Sequence, residues 1–341
     1  MKIALICPYD IGCFGGVQNQ VTLIAATLRR RGHDAWVVAP GESDQPLRSL
    51  GASRTWSFND STAPIKLSPL LRRKMRGAVA DADVVHVHEP LMPMVSIAAR
   101  WTGRPLVGTF HADPSRLVRA LYRRFPPLRW HIKSFISLAA VSETAHSAVA
   151  GFGDVAIIPN GVEIRRLPNV DRVLGRVVFV GRNDRRKGLD VALAAMRSLR
   201  ETHPAVHLVV ISPDAIDPEP GVDLHRNISD ALKQELLASA EIFIAPNSRG
   251  ESFGLTVAEG MAAGAACVVS DIPAFADVVG DTAVLVPPGE PSALAAAMAG
   301  LLDDPPRLTK LGEAATFRAR HFSIDRTVDA YLPRYAAAAS R

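Results

Sequence analysis

The sequence predicts two doubly wound, parallel α/β domains. Its 341 residues exceed one ordinary hydrophobic core and suit two domains of roughly 150 residues each. Short apolar runs alternate with helical patterns along the chain, and this alternation restarts after Leu167. Strands that are apolar on both faces and are joined by helices are typical of a parallel sheet that is covered on both sides. Two such domains predict a cleft between them, where ligands tend to bind.

The first half of the chain contains six predicted strands and one especially clear helix. The helix covers Val17–Arg31, because apolar residues recur on one helical face from Val17 to Leu28 and Gly32 follows as a stop signal. The predicted strands are Lys2–Cys7, Asp34–Ala39, Val84–His88, Pro105–Phe110, Phe135–Val141 and Val155–Ile158.

A second set of strands follows the predicted linker, Glu163–Val173. These strands are again separated by helical patterns, and a final helix is predicted at about Asp325–Ala338. The predicted strands of this half are Arg176–Val180, His207–Ile211, Ile242–Ala245, Ala266–Ser270 and Ala283–Val286.

The bulk composition indicates a globular protein rather than a disordered or membrane-spanning one. Hydrophobic residues make up 48% and charged residues 21% of the chain. No apolar run approaches the roughly 20 residues that span a bilayer, and the N-terminal segment MKIALICPYD is more typical of a first strand than of a leader peptide. The three cysteines, an odd number without metal-type spacing, favour reduced thiols. We therefore expect a cytoplasmic location.

The charge is divided unevenly along the chain. Residues 1–170 contain 21 Lys or Arg and 12 Asp or Glu, a net charge of +9, whereas residues 171–341 contain 18 and 22, a net charge of −4. This asymmetry predicts that one domain meets an anionic partner. No nucleic-acid-binding motif is recognisable, and few aromatic residues lie among the arginines, so we expect no nucleic-acid partner.

A glycine-containing loop, Gly12–Gln18, lies between the first strand and its helix. The adjacent Gly15 and Gly16 allow a ligand to approach the backbone, and the free amides at the start of a helix attract an anion. A tight turn without a ligand explains this loop equally well. The loop lacks the G-x-G-x-x-G pattern of a nicotinamide dehydrogenase.

A basic loop, Arg182–Gly188, follows the strand that begins the second half. It lies where open α/β sheets bind ligands, at the carboxyl end of a parallel strand. Arg182 as a planar fork and Lys187 as a point charge suit a diphosphate. A solvated surface loop is the alternative interpretation.

The segment Gly250–Gly260 carries the most specific pattern, two glutamates eight positions apart. Glu251 lies on a loop, where a carboxylate reaches sugar hydroxyls, and the amides of residues 253–255 open a helix and suit a phosphate. Glu259 follows about two helical turns later, in an apolar context where a carboxylate without a partner would be costly. A pair of carboxylates on a helix surface is the alternative.

These residues resemble the E-x7-E signature of the retaining glycosyltransferases of family four, which have the two-domain GT-B fold. The likeness extends over nearly the whole chain and includes the His-x-His strand, Thr109-Phe110-His111 and Pro159-Asn160-Gly161-Val162 in the family's order. Within that family the sequence is most similar to the phosphatidylinositol mannosyltransferases of actinobacteria. The strings that carry this closer likeness are Cys7-Pro8-Tyr9, Gly15-Gly16-Val17-Gln18 and His86-Val87-His88-Glu89-Pro90.

The resemblance implies two facing domains that divide the substrates between them. Residues 1–165, with a final helix at about 325–341 that crosses back, would form the acceptor side, and residues 170–322 would bind the donor. The donor would be a nucleotide sugar such as GDP-mannose, with no tightly bound cofactor. A divalent cation could stimulate transfer without a metal site in the protein.

The resemblance also implies roles for individual residues. Arg182 and Lys187 would hold the donor diphosphate, while His111 would face the donor sugar and the reacting centre. Glu251 would contact the donor sugar and Glu259 the ribose. The remaining matched residues are Gly16, Ser252, Phe253, Gly254 and Leu255 on the donor and Tyr9, Gln18 and Asn59 on an inositol-type acceptor.

Two basic segments of the first half predict contact with an anionic membrane surface. Ser68-Pro69 begins a predicted helix that sets Leu70, Leu71 and Met75 beside Arg72, Arg73, Lys74 and Arg76. A second basic amphipathic pattern covers residues 116–125. Such helices lie in a lipid interface or bury their apolar face in the domain, and the resemblance favours the lipid. We therefore expect a peripheral location at the inner face of the cell membrane.

Other functions remain as alternatives. The enzyme could use a UDP- or ADP-linked sugar and a soluble acceptor, or the chain could bind a nucleotide sugar without catalysis. A nucleotide-sugar epimerase with the same architecture would need no acceptor. His86 and His88 share one face of a strand, as metal ligands do, but no third ligand is evident in the sequence, so we expect no metal site.

Overall fold

The computed structural model describes residues 1–13, 15–43, 46–58, 61–65, 70–114, 116–164 and 170–341, apart from the side chains of 54–58, 61–65, 116, 117, 121 and 123. The described chain forms two compact units. Unit 1 consists of Met1–Gly161 and Ile324–Arg341, and unit 2 consists of Val162–Ser323. The chain therefore passes between the units twice, once in each direction.

The strands are short, and the central strands of the two larger sheets are mostly buried. In the described residues they are β1 (Lys2–Ile6), β2 (Asp34–Ala39), β3 (Leu47–Ser49), β4 (Arg54–Phe58), β5 (Ser61–Ile65), β6 (Val84–His88), β7 (Leu106–Phe110), β8 (Phe135–Ala140), β9 (Val155–Ile157), β10 (Arg176–Val180), β11 (His207–Ile211), β12 (Val222–His225), β13 (Ile242–Ala245), β14 (Ala266–Ser270) and β15 (Val284–Val286).

Helices connect most of these strands. In the described residues they are α1 (Gly16–Arg30), α2 (Leu71–Ala78), α3 (Val95–Ala99), α4 (Arg116–Arg124), α5 (Pro126–Ile132), α6 (Glu143–Val149), α7 (Leu189–Thr202), α8 (Asp230–Ala238), α9 (Leu255–Ala262), α10 (Pro273–Val279), α11 (Pro291–Leu302), α12 (Pro305–Ala319) and α13 (Ile324–Ala339).

Unit 1 is built on a parallel sheet with the strand order β3-β2-β1-β6-β7-β8-β9. The order reverses between β1 and β6, which pair directly. Helices α1 and α13 cover one face, and their apolar side chains, such as Leu28 and Tyr331, share a core with Leu5 of the sheet. Strands β4 and β5 form a separate antiparallel hairpin.

Unit 2 is built on a second parallel sheet, with the order β12-β11-β10-β13-β14-β15. Here the order reverses between β10 and β13. Residues such as Phe179 of the sheet, Met196 of α7 and Met298 of α11 form one buried core. In both sheets the crevice at the point of reversal is where doubly wound proteins bind ligands.

The predicted fold class is confirmed, since both halves are doubly wound parallel sheets. The predicted strands occur with ends shifted by no more than a residue or so; for example, the last predicted strand begins at Val284 rather than Ala283. Two edge strands, β3 and β12, were not predicted. Their side chains are partly exposed and their sequences, such as Val-Asp-Leu-His in β12, lack a continuous apolar run.

Candidate active site

The reversal point of the second sheet brings together two of the predicted motifs. Strands β10 and β13 are neighbours, and the basic loop follows β10 while the Glu251 loop follows β13. Because both strands are parallel, their carboxyl ends lie at the same edge, so the two loops emerge side by side.

Backbone contacts fasten these two loops to each other. Arg186 donates from its guanidinium to the Gly250 carbonyl at 2.7 Å, and the Ser248 amide donates to the Arg186 carbonyl at 2.9 Å. Gly188 has a φ of +71°, and a β-carbon there would overlap the Pro246 carbonyl oxygen. Glycine is therefore required where the basic loop meets helix α7.

An ion pair joins the two loops at the centre of this edge. The Lys187 ammonium lies 2.7 Å from the Glu251 carboxylate, and both side chains are 16% exposed. The side-chain amide of Asn247 donates to the same carboxylate oxygen at 3.0 Å. Burial raises the pKa of the Glu251 carboxyl, but Lys187, Arg186 and the Ser252 amide outweigh burial and leave this pKa below its usual value. The centre of this edge therefore holds an oppositely charged pair, with the Arg186 guanidinium close enough to act on the carboxylate.

Arg182 lies earlier in the same loop and is partly buried. The turn that carries it is anchored by Asp214, whose carboxylate accepts the Asn183 amide at 2.8 Å. Asp214 follows β11, so three neighbouring strands contribute to this edge of the sheet.

Helix α9 begins directly beside the ion pair. Its N-cap, Gly254, has a φ of +96°, and a β-carbon there would meet the Phe275 ring at 2.8 Å. Phe253 is buried edge-on against Phe322, with ring centroids 5.5 Å apart. These contacts fix the first turn of the helix, whose amides point towards any anion bound at its N-terminus.

Glu259 lies on the buried side of α9 and has a cationic partner that sequence reasoning missed. The Lys233 ammonium of α8 lies 3.0 Å from its carboxylate, and the two side chains are 10% and 8% exposed. Burial lowers the pKa of Lys233, but Glu259 and Asp230 more than offset it, so this pKa is raised. No local pattern around Lys233 marks it as a site residue. Its role becomes visible only from the packing of α8 on α9.

The reversal point of the first sheet brings Tyr9 and the end of β6 together. Tyr9 is partly exposed, and Gly16 forms the first residue of α1. Gln18 is buried and its amide donates to the Asp10 carbonyl at 3.3 Å. Asn59, the third residue predicted for the acceptor, lies outside the described residues.

His111 follows β7 and is buried, but its ring is occupied by protein partners. Its Nε2 lies 2.8 Å from His88 Nδ1, and the Asn160 side chain hydrogen-bonds the same imidazole. Burial lowers the pKa of His111 to about 3, so the ring is neutral. A neutral imidazole has one donor and one acceptor nitrogen, and these two partners can account for both. The expectation that the ring faces a donor sugar therefore gains no support from unit 1 itself.

His86 and His88 belong to a buried hydrogen-bond network. His86 Nε2 lies 2.8 Å from the Thr109 hydroxyl, and its Nδ1 lies 2.8 Å from the Tyr335 hydroxyl of α13. Burial lowers the pKa of His86 to about 3. Within the described part of the chain, no group of three or more His, Cys, Asp or Glu side chains could hold a metal ion.

Comparison with known proteins identifies the family. Residues 14–166 match the family profile described as Glycosyltransferase Family 4, and residues 175–304 match that described as Glycosyl transferases group 1. The chain is 34% identical to the phosphatidyl-myo-inositol mannosyltransferase of Mycolicibacterium smegmatis, covering 89% of this chain and 85% of that protein. The corresponding enzyme of Propionibacterium freudenreichii is 32% identical over 84% and 81% of the two chains. The chain belongs to glycosyltransferase family 4.

Solved structures show the same fold. HepE of Anabaena, in complex with UDP and glucose, superposes with a TM-score of 0.75 at 18% identity over 99% of this chain and 100% of that chain. A glycosyltransferase of Rickettsia africae gives a TM-score of 0.74 at 18% identity over 98% of both chains. The predicted GT-B fold, family and enzyme class are confirmed, and this family 4 protein is a glycosyltransferase.

The predicted membrane residues of this glycosyltransferase lie on α2. Arg72, Arg73, Lys74 and Arg76 are all exposed. Of the predicted apolar residues, Leu71 and Met75 are buried in unit 1, whereas Leu70, the N-cap of the helix, is 61% exposed. The predicted helix start, Ser68-Pro69, lies outside the described residues. In the described portion, no helix is both long enough and apolar enough to cross a bilayer.

Proposed function

We propose that this glycosyltransferase transfers mannose from GDP-mannose to a phosphatidylinositol-type acceptor, with retention of the sugar's configuration. The observation that carries the proposal is the 34% identity with a phosphatidyl-myo-inositol mannosyltransferase over 89% of the chain. The alternative donor is a UDP- or ADP-linked sugar with a soluble acceptor.

The donor binds to unit 2 in this proposal. Lys187 and Arg182 hold the diphosphate, and the amides of Ser252, Phe253, Gly254 and Leu255 bind a phosphate oxygen at the start of α9. The geometry supports this, because a diphosphate would take the place of Glu251 as the anionic partner of Lys187, 2.7 Å away in the free protein. Glu251 is then released to hydrogen-bond the sugar.

Glu259 binds the ribose of the donor. Its contact with the Lys233 ammonium, 3.0 Å away, holds the carboxylate in a fixed orientation although both side chains are almost fully buried. A charged carboxylate accepts hydrogen bonds from hydroxyls more strongly than a neutral acid does.

Transfer needs no nucleophilic side chain in this mechanism. The bond from the sugar C1 to the diphosphate oxygen breaks while the acceptor oxygen bonds to C1, and the leaving phosphate oxygen takes the acceptor's proton. Lys187 and Arg182 stabilise the negative charge that develops on the diphosphate. On the acceptor side, Tyr9 and Gln18 bind the acceptor in this proposal, and His111 has the role at the reacting centre that the family resemblance implies.

The donor is tested by thermal shift and by turnover. GDP should raise the melting temperature more than UDP or ADP does, because a ligand that binds only the native state stabilises it. Mannosyl transfer from GDP-mannose to phosphatidylinositol vesicles should exceed glucosyl transfer from UDP-glucose, with and without Mg²⁺. Preference for UDP or ADP, or equal transfer to water-soluble inositol, would favour the alternative.

We also propose that unit 1 works at an anionic membrane surface, peripherally and on the cytoplasmic side. Exposed aromatic residues lie beside the basic helix: Trp101 is 41% and Trp130 is 53% exposed, with ring centroids 6.1 Å apart. Arg72 stacks on the Trp101 ring at 4.4 Å and Arg100 on the Trp130 ring at 3.3 Å. Tryptophan rings and guanidinium groups together suit the boundary between lipid headgroups and acyl chains.

Vesicle co-sedimentation tests this surface. Replacing Arg72, Arg73, Lys74 and Arg76 by Ser should weaken binding to anionic vesicles, since each cation contributes about 1 kcal/mol near such a surface. Trp101→Ser with Trp130→Ser should weaken binding in high salt as well. The matched controls lie on α12, where Arg307→Ser with Lys310→Ser and the 66% exposed Phe317→Ser should have no effect. Equal binding by all variants would refute the proposed surface.

A further inference from the structure

A buried carboxyl group without an assigned role lies at the reversal point of the first sheet. Glu89 directly follows β6, which is the neighbour of β1 at this point. Its side chain is buried, with the residue only 5% exposed. In the described portion of unit 1, no Lys, Arg or His lies within ion-pair distance of it, although the unit as a whole is basic. A buried carboxyl without a cation is costly, and carboxyls perturbed in this way cluster at functional sites.

The backbone of Glu89 is strained and firmly held. Its φ is +52°, a left-handed conformation that costs a non-glycine residue about 1 kcal/mol. The Glu89 carbonyl accepts the Met92 amide at 2.9 Å, and the next carbonyl, that of Pro90, lies 2.9 Å from His131 Nε2. The preceding carbonyl accepts the Ser96 hydroxyl at 3.2 Å. Such strain persists where surrounding contacts enforce it, and it concentrates at functional sites.

The strained turn aims the carboxylate at the segment that follows β7. One oxygen accepts the His111 amide at 2.7 Å, and the Ala112 amide also hydrogen-bonds the carboxylate. The His111 ring is held at the same time by His88, the residue before Glu89, at 2.8 Å. Two consecutive residues of β6 and its turn therefore fix both the backbone and the ring of His111.

Two phenol groups lie close enough to this carboxyl to be affected by its charge. Burial, and then the Glu89 charge, raise the pKa of Tyr9, and the same two causes raise the pKa of Tyr122. Burial also raises the pKa of the Glu89 carboxyl itself to about 7, because the amides of His111 and Ala112 offset only part of the cost of burying the charge.

We propose that Glu89 is a positioning residue of the transfer site, whose carboxylate holds the backbone of His111 and Ala112 in place at the crevice of the first sheet. This role rests on the proposed function, in which that crevice receives the hydroxyl of the acceptor. Glu89 acts through the backbone of these two residues and not on the reacting atoms. The strained turn that follows β6 lets the Glu89 side chain reach the amides that follow β7.

Three variants separate this role from general support of the fold. Glu89→Ala removes both hydrogen bonds, Glu89→Gln keeps an acceptor oxygen but no charge, and Glu143→Gln removes an exposed carboxylate of the same unit as a control. We expect Ala to lower kcat by about 10²-fold, since a misplaced group costs that much, and Gln to recover most of the loss. The affinity for GDP, which binds to unit 2, should be unchanged in all three.

The pH profile provides a second readout. The ionised carboxylate is a stronger acceptor of two amides than a neutral carboxyl or a Gln side chain, so wild-type transfer should decline to about the rate of Glu89→Gln as the pH falls through about 7, and Glu89→Gln should lack this decline. The described titratable groups around Glu89 do not titrate near this pH. Burial raises the pKa values of Cys7, Tyr9 and Tyr122, and it lowers those of His88 and His111. An unchanged acidic decline in Glu89→Gln would contradict the proposal.

Hydrogen exchange tests the positioning role without any substrate. The amides of His111 and Ala112 should exchange faster in Glu89→Ala and nearly as slowly as wild type in Glu89→Gln and Glu143→Gln. Unchanged exchange in Glu89→Ala overturns the proposal even if activity falls. If the wild-type protein transfers no sugar to any acceptor, the proposed function fails, while the exchange result still decides what Glu89 does.

Discussion

Replacement of Glu251 by Gln should separate nucleotide binding from sugar transfer. In the free protein its carboxylate accepts from Lys187 at 2.7 Å and from Asn247 at 3.0 Å. Gln has nearly the same shape and keeps an acceptor oxygen for these donors, but it removes the negative charge. Lys187 then has no carboxylate partner to leave when a diphosphate binds, and the negative charge nearest to the Lys187 ammonium no longer repels phosphate.

The magnitudes follow from charges and hydrogen bonds. Two unit charges about 10 Å apart at an effective dielectric constant of about 20 interact by roughly 1.7 kcal/mol, so GDP should bind roughly tenfold more tightly to Glu251→Gln. Transfer should nevertheless fall about 10²–10³-fold, because the sugar loses a charged hydrogen-bond partner at the reacting centre. Lys187→Met should weaken GDP binding and transfer together, since it removes the cation that holds the diphosphate.

Calorimetric titration with GDP and a radiolabelled transfer assay measure the two quantities. The matched control is Glu219→Gln, which neutralises the partner of Arg197, 2.7 Å away in another ion pair of unit 2. It should change neither quantity. If a folded Glu251→Gln variant transfers mannose at the wild-type rate, the assignment of the Lys187–Glu251 pair to the donor site is wrong. Weaker GDP binding would show instead that the carboxylate supports the nucleotide.

Other consequences can be measured in the same protein. Lys233→Met removes the cation 3.0 Å from the buried Glu259 carboxylate and should lower the free energy of unfolding, measured by urea titration, by about 3–5 kcal/mol. Adding Glu259→Gln to this variant should restore part of the lost stability. An unchanged urea midpoint in Lys233→Met would contradict the importance of the buried pair. Gly188→Ala should destabilise unit 2 and abolish GDP binding. The φ of +71° at this position is unfavourable for alanine, and the added β-carbon overlaps the Pro246 carbonyl oxygen. A GDP-induced thermal shift equal to that of wild type would refute this prediction. Burial lowers the pKa values of His86 and His111 to about 3, below the unfolded value of about 6.5, so each contributes stability that is present above pH 6.5 and is lost as the pH falls. Their ring proton resonances should not shift between pH 7.5 and 5.0, and titration in that range would show that the rings are accessible.

Much of the fold could be predicted because its central strands are buried on both faces. A run such as Val177–Val180 has no polar residue to compete with a strand assignment, and the helices that follow have clear apolar faces. The edge strand Val222–His225 has a partly exposed, mixed sequence, so its pairing with β11 decides its structure. Local sequence carries no record of that pairing.

The candidate site was predictable only in part, since its contacts join distant residues. Lys187 and Glu251 meet because β10 and β13 are neighbours, although 64 positions separate the two residues. The glutamate pattern indicated Glu259 but not Lys233, whose partner depends on how α8 packs on α9. Glu89 gave no local signal either, because nothing in its neighbourhood predicts a left-handed glutamate.

The two sheets present opposite chemistry at equivalent places. The strand order reverses between β1 and β6 in unit 1 and between β10 and β13 in unit 2. At this point unit 2 holds Lys187 and Glu251, so an arriving diphosphate finds a cation that can change partners. The described side chains at the same point of unit 1 include Glu89 and Tyr9, with the neutral His111 beside Glu89. The Glu89 carboxylate, which has no described cation within ion-pair distance, disfavours an anion but accepts a hydrogen bond from a hydroxyl. The difference in charge at one shared topological position therefore supports assigning the anionic donor to unit 2 and the reacting hydroxyl of the acceptor to unit 1.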